Sequence, residues 1–216
     1  MPRHYERPTY AHRPCPILLL FAHPALEKSR VHARLIDTVQ ELAEVTFHDL
    51  YEAYPEFDID VAREQRLLDA HSTIVLQHPV FWYSTPAPVK QWEDLVLEHG
   101  WAYGTGGNAL AGKRLLSVVS TGGGESAYRQ DGPRGTTIHD TLSPLRRTFE
   151  LCGMDYLPPF VVHGSHTITP DQLGTHARDY RRVLEGLRDG TLDIAAARRR
   201  PRLNWQLDDL FPGKDD

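Results

Sequence analysis

The stretch that decides the fold covers residues 72–92 and reads STIVLQHPVFWYSTPAPVKQW. Residues 74–76 form an apolar run without polar alternation, which is typical of a strand buried on both faces of a parallel sheet. Pro79 predicts the end of strand pairing, because proline has no backbone N–H. Pro86 and Pro88 are suited to the first turn of a helix. The stretch therefore predicts a central strand, a loop and a helix.

The predicted loop carries three large side chains in succession, Phe81, Trp82 and Tyr83. In open α/β sheets, ligands bind in the crevice outside the carboxyl ends of the strands, and this loop begins there. A flat aromatic ligand would fit against such rings. The alternative is that the rings only cover the core, since most aromatic side chains are packing groups.

The length of 216 residues predicts one large domain. A net charge of −5 argues against binding to nucleic acid phosphates. Cys15 and Cys152 form no CxxC pair, which predicts a reducing compartment. The apolar run 17–22 is far shorter than the roughly 20 residues that cross a bilayer, and no signal-peptide cleavage pattern follows it. The sequence therefore predicts a cytoplasmic protein.

The pattern of buried strand, loop and helix occurs about five times along the chain. The predicted strands are 16–22, 44–49, 74–78, 115–120 and 156–163, and predicted helices follow near 29–42, 61–70, 86–96, 138–152 and 170–188. Five such units predict an α/β fold with a flavodoxin-like, doubly wound, five-stranded parallel sheet of order 2-1-3-4-5. Residues 1–14 are expected to form a flexible arm, 15–190 the domain and 191–216 a C-terminal tail.

The first predicted helix starts with a good N-cap, Ser29. A phosphate placed here would meet the free N–H groups and the positive end of the helix dipole, next to Arg30 and His32. The alternative is ordinary helix capping with a solvated arginine. The residues of this turn leave both interpretations open.

Three consecutive glycines, Gly122, Gly123 and Gly124, follow Thr121 at the end of the fourth predicted strand. Glycines let the backbone approach a ligand closely and direct N–H groups at acceptor atoms, although a flexible turn would have the same composition. The position favours a ligand, because this is the third loop at the same edge of the sheet and such loops converge.

Other motifs in the chain do not meet their structural requirements. The segments 104–109 and 107–113 resemble a dinucleotide fingerprint and a P-loop, but both lie between a helix and a strand instead of after a strand. His163 and His166 have no third ligand nearby, so no metal is predicted. The basic and aromatic tail could dock on a partner chain or on the protein itself, or be disordered.

One combination of motifs occurs together: His23-Pro24, Ser29, 79–83, Pro86, Lys90, Trp92, 100–104 and 121–124. Together they resemble the flavodoxin-like NAD(P)H:quinone oxidoreductase family, in particular the ancillary oxidoreductase subunits of bacterial glutathione-gated potassium efflux systems. The resemblance covers about residues 16–188. It implies a homodimer with FMN, or alternatively FAD, bound at the strand ends.

The resemblance also implies a role for individual residues. The phosphate would be held by His23, Ser29, Arg30, Val31 and His32, the flavin ring would be lined by Val80, Phe81, Trp82 and Tyr83, and its polar edge would meet Thr121, Gly122, Gly123 and Gly124. Tyr128 matches a family tyrosine. Arg134 stands where the family has a histidine that supports negative charge on the reduced flavin. Arginine can stabilise that charge but cannot release a proton near neutral pH.

The activity implied by this resemblance is a two-electron transfer, in which NAD(P)H gives a hydride to the flavin and a quinone then takes it. One alternative is a regulatory subunit of a membrane potassium efflux transporter, which would place the protein at the inner face of the membrane. Another is reduction of azo compounds or metals by the same flavin.

Overall fold

A parallel sheet forms the centre of the structure, a computed structural model that describes residues 16–133 and 135–211. Its strands are β1 (Ile17–Phe21), β2 (Val45–Asp49), β3 (Thr73–Pro79), β4 (Arg114–Ser120), β5 (Asp155–Tyr156) and β6 (Phe160–Val162). The helices are α1 (Arg30–Val39), α2 (Leu50–Ala53), α3 (Val61–Ala70), α4 (Ala87–Val96), α5 (Ile138–Thr141), α6 (Ser143–Leu151), α7 (Pro170–Asp189) and α8 (Ile194–Ala197). The predicted flexible arm, residues 1–14, lies outside the described residues.

The strands lie in the order β2-β1-β3-β4-β5, and β6 also pairs with β4. Every pairing is parallel. The predicted flavodoxin-like sheet of order 2-1-3-4-5 is therefore confirmed. Its fifth position holds two short strands, because Pro158 and Pro159 lie between them and cannot donate ladder hydrogen bonds.

The central strand β3 is buried along its whole length. The prediction that pairing ends before Pro79 was wrong. Pro79 pairs with Ser120, and the N–H of Val80 donates to the Ser120 carbonyl at 2.8 Å. Proline removes only its own N–H, so the ladder continues through the next residue.

Two further predictions need correction. The single helix expected over residues 138–152 is divided into α5 and α6 at Leu142, which has φ −89 and ψ 0. Pro144 follows at the start of α6, where its missing N–H does not matter. The loop expected after β2 begins with the short helix α2, which Asp49 caps by accepting a hydrogen bond from the N–H of Tyr51 at 2.9 Å.

Both faces of the sheet are covered, so side chains of β1 alternate between two cores. Leu19 lies with the apolar residues of α1 and α7, whereas Leu18 and Leu20 lie with those of α3, α4 and α6. This is why the strands read as continuous apolar runs. Within the described residues, no helix combines the length and apolar character that crossing a membrane requires.

The described part of the C-terminal segment packs on the domain itself. Leu203 is fully buried, and its N–H donates to the Pro159 carbonyl at 3.0 Å. The Asn204 side chain accepts from the Val161 N–H at 3.2 Å and donates to the Val161 carbonyl at 2.8 Å. These bonds satisfy backbone groups of β6, which would otherwise be an unpaired sheet edge.

Candidate functional site

The carboxyl ends of β1, β3 and β4 surround one cavity of about 850 Å³. It brings together most of the residues predicted as a site: His23, Ser29, Arg30, Val31, Val80, Phe81, Trp82, Tyr83, Gly122, Gly123 and Tyr128. The three loops converge because parallel strands end at the same edge of the sheet. His32, Thr121 and Gly124 are not part of the cavity wall, and Arg134 lies outside the described residues.

The start of α1 forms one end of the cavity. The Ser29 hydroxyl caps the helix by accepting from the N–H of His32 at 3.1 Å. Lys28 and Arg30 place two positive charges beside the cap, and the Arg30 guanidinium donates to the Ile168 carbonyl at 3.0 Å. The leading N–H groups of a helix have no partner within it. Such a combination favours a bound anion, and this end of the cavity is the candidate anion site.

His23 lies between the anion site and the aromatic loop. Its Nδ1 accepts from the Ala25 N–H at 3.1 Å, so in the neutral ring Nε2 carries the proton. Burial lowers the pKa of His23, and the carboxylate of Glu27 only partly opposes this effect. Both observations favour a neutral ring that offers its Nε2–H to the cavity.

His32 lies behind the cavity wall and is fully buried. Burial lowers its pKa well below the usual value, and the neighbouring His23 and His78 add to the effect. An imidazole enclosed behind the cavity wall does not reach a phosphate in the cavity, so the predicted direct contact does not fit this placement. The reason is helical geometry, since the position three residues after Ser29 faces the sheet.

His32 instead belongs to a chain of hydrogen bonds that ends at the cavity. Tyr180 donates to Gln77 Oε1 at 2.8 Å, and the Gln77 amide donates to His32 Nδ1 at 3.2 Å. His32 Nε2 then carries the proton and donates to Ser120 Oγ at 2.9 Å. Since the Ser120 oxygen accepts this bond, its own O–H can donate into the cavity that Ser120 lines.

Residues 81–84 form a tight turn under backbone strain. The Phe81 N–H donates to the Ser84 carbonyl at 3.0 Å, and the Ser84 N–H donates to the Phe81 carbonyl at 2.9 Å. Between them Trp82 and Tyr83 have φ +48 and +61. Such two-residue turns with positive φ usually contain Asn-Gly. Bulky residues in this conformation are strained, and strain of this kind clusters at ligand sites.

The rings of this turn are exposed at the cavity. Trp82 is 93% exposed, and Phe81 and Tyr83 are 42% and 52% exposed. Large aromatic side chains are normally mostly buried. A continuous apolar surface beside a polar anion site is suited to a ligand with one flat and one charged end.

The glycine turn is held from behind by a fourth loop, which follows β6. Thr121 is buried, and its hydroxyl donates to the Gly123 carbonyl at 2.8 Å and lies 2.9 Å from His163 Nδ1. The N–H of Gly164 also donates to the Gly123 carbonyl, at 2.9 Å. A Cβ on Gly122 would lie 3.4 Å from His166 Nε2, an ordinary contact distance, so the fourth loop lies directly against this turn. Thr121 therefore shapes the turn with its side chain instead of lining the cavity.

The sequence matches the family described as "Flavodoxin-like fold" over residues 16–184. The chain belongs to this family. Its relatives include the glutathione-regulated potassium-efflux system ancillary protein KefG of Pectobacterium carotovorum subsp. carotovorum (strain PC1). That protein is 46% identical over 168 residues, which are 78% of this chain and 92% of the relative. The family resemblance deduced from the motifs is thus confirmed.

Two solved structures of this fold are also similar. General stress protein 14 of Treponema denticola, in complex with FMN, is 40% identical with a TM-score of 0.75, and the match covers 79% of this chain and 98% of that one. An NADPH-quinone reductase from P. pentosaceus is 32% identical with a TM-score of 0.71, and the match covers 78% and 96%.

Five residues of the cavity wall were missed by the sequence reasoning: Lys28, Pro79, Ser120, Ser165 and His166. Ser165 and His166 follow the last strand, so the rule that located the other three loops could have found them. Lys28 and Ser120 lie next to predicted residues, but nothing in their sequence context shows that they face the same space.

Proposed function

We propose that this protein is an FMN-dependent NAD(P)H:quinone oxidoreductase. The observation that carries the proposal is one cavity in which an anion site, an aromatic turn and a glycine turn meet. The similarity to an FMN complex at 40% identity and to an NADPH-quinone reductase at 32% supports it. When bound, the flavin would accept a hydride from NAD(P)H and deliver two electrons to a quinone.

The residues at the anion site fit the phosphate of FMN. Ser29, Arg30 and Lys28 supply a hydroxyl and two positive charges at a helix start. The cavity volume of about 850 Å³ lies within the roughly 300–1,000 Å³ usual for ligand pockets. Neutral His23 would add a hydrogen bond to the phosphate without bringing a further charge that must lose its hydration.

The aromatic turn fits the flat ring system. Phe81 and Trp82 would bury exposed apolar surface against it and exclude water from one face. Ring–ring contact orients the ligand, so the strained turn would hold the reactive face toward the open side of the cavity. This gives the strain at Trp82 and Tyr83 a functional reason.

The glycine turn and Ser120 fit the polar edge of the ring. Backbone N–H groups of Gly122 and Gly123, together with the Ser120 O–H, would stabilise negative charge that develops there. Tyr128 lines the cavity beside this turn, and its ring centroid lies 5.4 Å from that of His163. The proposed role of Arg134 in supporting the same charge rests on the sequence alone.

His163 holds the glycine turn in a neutral form. Burial, and then the positive charge of Arg202, lower its pKa to about 4. It is therefore not a proton source near neutral pH, and its role is to position Thr121 and Tyr128. Because His163 stays neutral at physiological pH, its contacts with the glycine turn would not change over that pH range.

A spectrum of the purified protein tests the proposal directly. A bound flavin absorbs near ~450 nm, and mass spectrometry of the extracted cofactor separates FMN from FAD. NAD(P)H oxidation is then measured with a panel of quinones, azo dyes and metal ions. Faster turnover of azo dyes or metal ions than of every quinone would replace the quinone assignment. A protein that stays colourless after FMN is added would overturn the whole proposal.

We further propose, as a second function, that the protein is a homodimeric ancillary subunit of a potassium efflux transporter at the inner face of the membrane. The 46% identity to KefG over 92% of its length favours this role. Light scattering measures the oligomeric state. Potassium efflux from cells that express a transporter with and without this chain measures the regulation, and unchanged efflux contradicts it.

A further inference from the structure

A second cavity, of about 370 Å³, lies on the other side of the aromatic turn, between α4 and the pair α5 and α6. It shares only Val80 with the first cavity. The aliphatic part of its wall consists of Val80, Leu97, Leu142, Pro144, Leu145 and Leu151. Six residues with ionisable side chains also line it: His78, Lys90, Glu93, Asp94, Tyr103 and Cys152.

Two of these polar residues carry buried atoms without a hydrogen-bond partner. Among the described residues only three buried side-chain polar atoms lack one, and His78 Nε2 and Glu93 Oε1 are two of them. His78 is fully buried at the end of β3. Buried polar groups without partners are rare and costly, so two of them in one cavity call for a hydrogen-bond donor in that space.

Both unpartnered atoms are hydrogen-bond acceptors. His78 Nδ1 donates to the Pro79 carbonyl at 2.9 Å, which leaves a lone pair on Nε2. Glu93 Oε1 is a carboxyl oxygen, and the neighbouring Lys90 is held by Asp94 at the cavity rim. No group of His, Cys, Asp and Glu within the described chain is arranged to hold a metal ion. The occupant must therefore bring donors of another kind.

We propose that this cavity binds a small organic ammonium ion, with its N–H groups on His78 Nε2 and Glu93 Oε1 and its hydrocarbon part against the leucines. A primary ammonium group has three donors and can serve both acceptors. Its charge also compensates a desolvated carboxylate, which a neutral alcohol cannot do. The site goes beyond the flavin chemistry and does not depend on it.

Calorimetric titration of the full-length, FMN-loaded protein with benzylamine, and separately with benzyl alcohol, tests this. Benzylamine is expected to bind at least about tenfold more tightly, because a charge-assisted hydrogen bond exceeds a neutral one by about this factor. Glu93→Gln should weaken benzylamine about 10- to 100-fold. Glu150→Gln is the matched control, since it removes the same charge from an exposed position on α6, and it should leave the affinity unchanged.

The unmodified protein provides a second measurement. Burial raises the pKa of Glu93 to about 7, while Lys90 lowers it and Asp94 raises it. Benzylamine affinity should therefore rise about tenfold per pH unit below pH 7 and level off above it, as the carboxylate forms. Lys90, Asp94 and Tyr103 also line the cavity. The pKa is about 4 for His78, about 11 for Cys152 and about 12 for Tyr156, so none of these three groups titrates in the same range as Glu93.

Three results would overturn the site: equal affinity for the alcohol and the amine, an affinity that does not change with pH, or no binding by folded protein. Folded protein would also bind no benzylamine if a second copy of the chain filled the cavity, and the proposed site would be overturned in that case too. Repeating the titration without FMN separates this proposal from the flavin function. Amine binding should persist in protein that has lost its flavin or never held one.

Discussion

Replacing Trp82 with asparagine should make the ligand-free protein more stable and its flavin binding weaker. Trp82 occupies the first central position of the turn, with φ +48, and this conformation costs a bulky residue about 1–2 kcal/mol. Asparagine tolerates it, because its short side chain hydrogen-bonds locally. The substitution therefore removes strain at a position where the indole ring contributes little to the stability of the ligand-free protein.

The contribution of the ring follows from its exposure. Trp82 is 93% exposed, so roughly 7% of a surface of about 250 Å² is buried. At ~25 cal/mol per Å² that burial stabilises the protein by about 0.4 kcal/mol. Relief of strain exceeds this, and the net gain should be about 0.6–1.6 kcal/mol. For a chain of this size, the midpoint of thermal unfolding should rise by about 1–6 °C.

Flavin affinity should change in the opposite direction. A large aromatic side chain that becomes buried on binding contributes about 1.5–3 kcal/mol. Trp82→Asn should therefore raise the Kd for FMN about 10- to 100-fold, measured by quenching of flavin fluorescence. Higher stability together with lower FMN affinity is the result expected when backbone strain is maintained because it positions a group for ligand binding.

Phe57 provides a matched control, because it also has positive φ, +60, and lies outside the cavity wall. Phe57→Asn should relieve similar strain without changing the Kd for FMN. Unfolding is followed by circular dichroism on flavin-free protein. A Trp82→Asn protein that is less stable than the original would show that the turn is not strained. An unchanged Kd would show that the ring does not touch the flavin.

Three further predictions follow from the structure. Ser29→Ala should lower the free energy of unfolding by about 1 kcal/mol, because it removes the helix N-cap. It should also lower the affinity for FMN but not the affinity for riboflavin, which lacks the phosphate. An equal loss of affinity for both ligands would contradict the anion site. Arg202 donates to Glu125 at 2.9 Å, at the start of the short helical turn that ends at Tyr128. Arg202→Ala should therefore raise the Kd for FMN about 2- to 5-fold, and Arg202→Lys should raise it less, because lysine keeps the positive charge. An unchanged Kd in Arg202→Ala would show that this ion pair does not position Tyr128 for flavin binding. Glu64→Gln should reduce the loss of stability, measured by urea unfolding, as the pH falls below about 4.

Glu64 is fully buried and accepts hydrogen bonds from His48 at 2.8 Å, Tyr54 at 2.5 Å and Trp92 at 2.8 Å. Burial alone raises its pKa, but these bonds outweigh burial and leave the pKa below its usual value. A lowered pKa stabilises the fold above the unfolded value of about 4.3, and this stability is lost as pH falls below it. Equal acid sensitivity in the variant would contradict this account.

The order of the sheet, and the edge of the sheet at which the candidate site lies, were determined by the sequence itself. Strands buried on both faces leave uninterrupted apolar runs, and prolines and glycines mark where these runs end. Parallel strands end at one edge, so three loops could be assigned to one cavity before their geometry was known. Ser29, Trp82 and Gly123 line one cavity for this reason.

What only the tertiary structure decided is which buried groups meet. The sequence suggested His32 as a phosphate ligand, but the fold directs it to Ser120, 88 positions away. Nothing local indicates that His78 and Glu93 share a cavity. Apolar periodicity reports how deeply a side chain is buried, because burial depends on the face of its own helix or strand. Partners across the core are set by how those elements pack, and that information is not local.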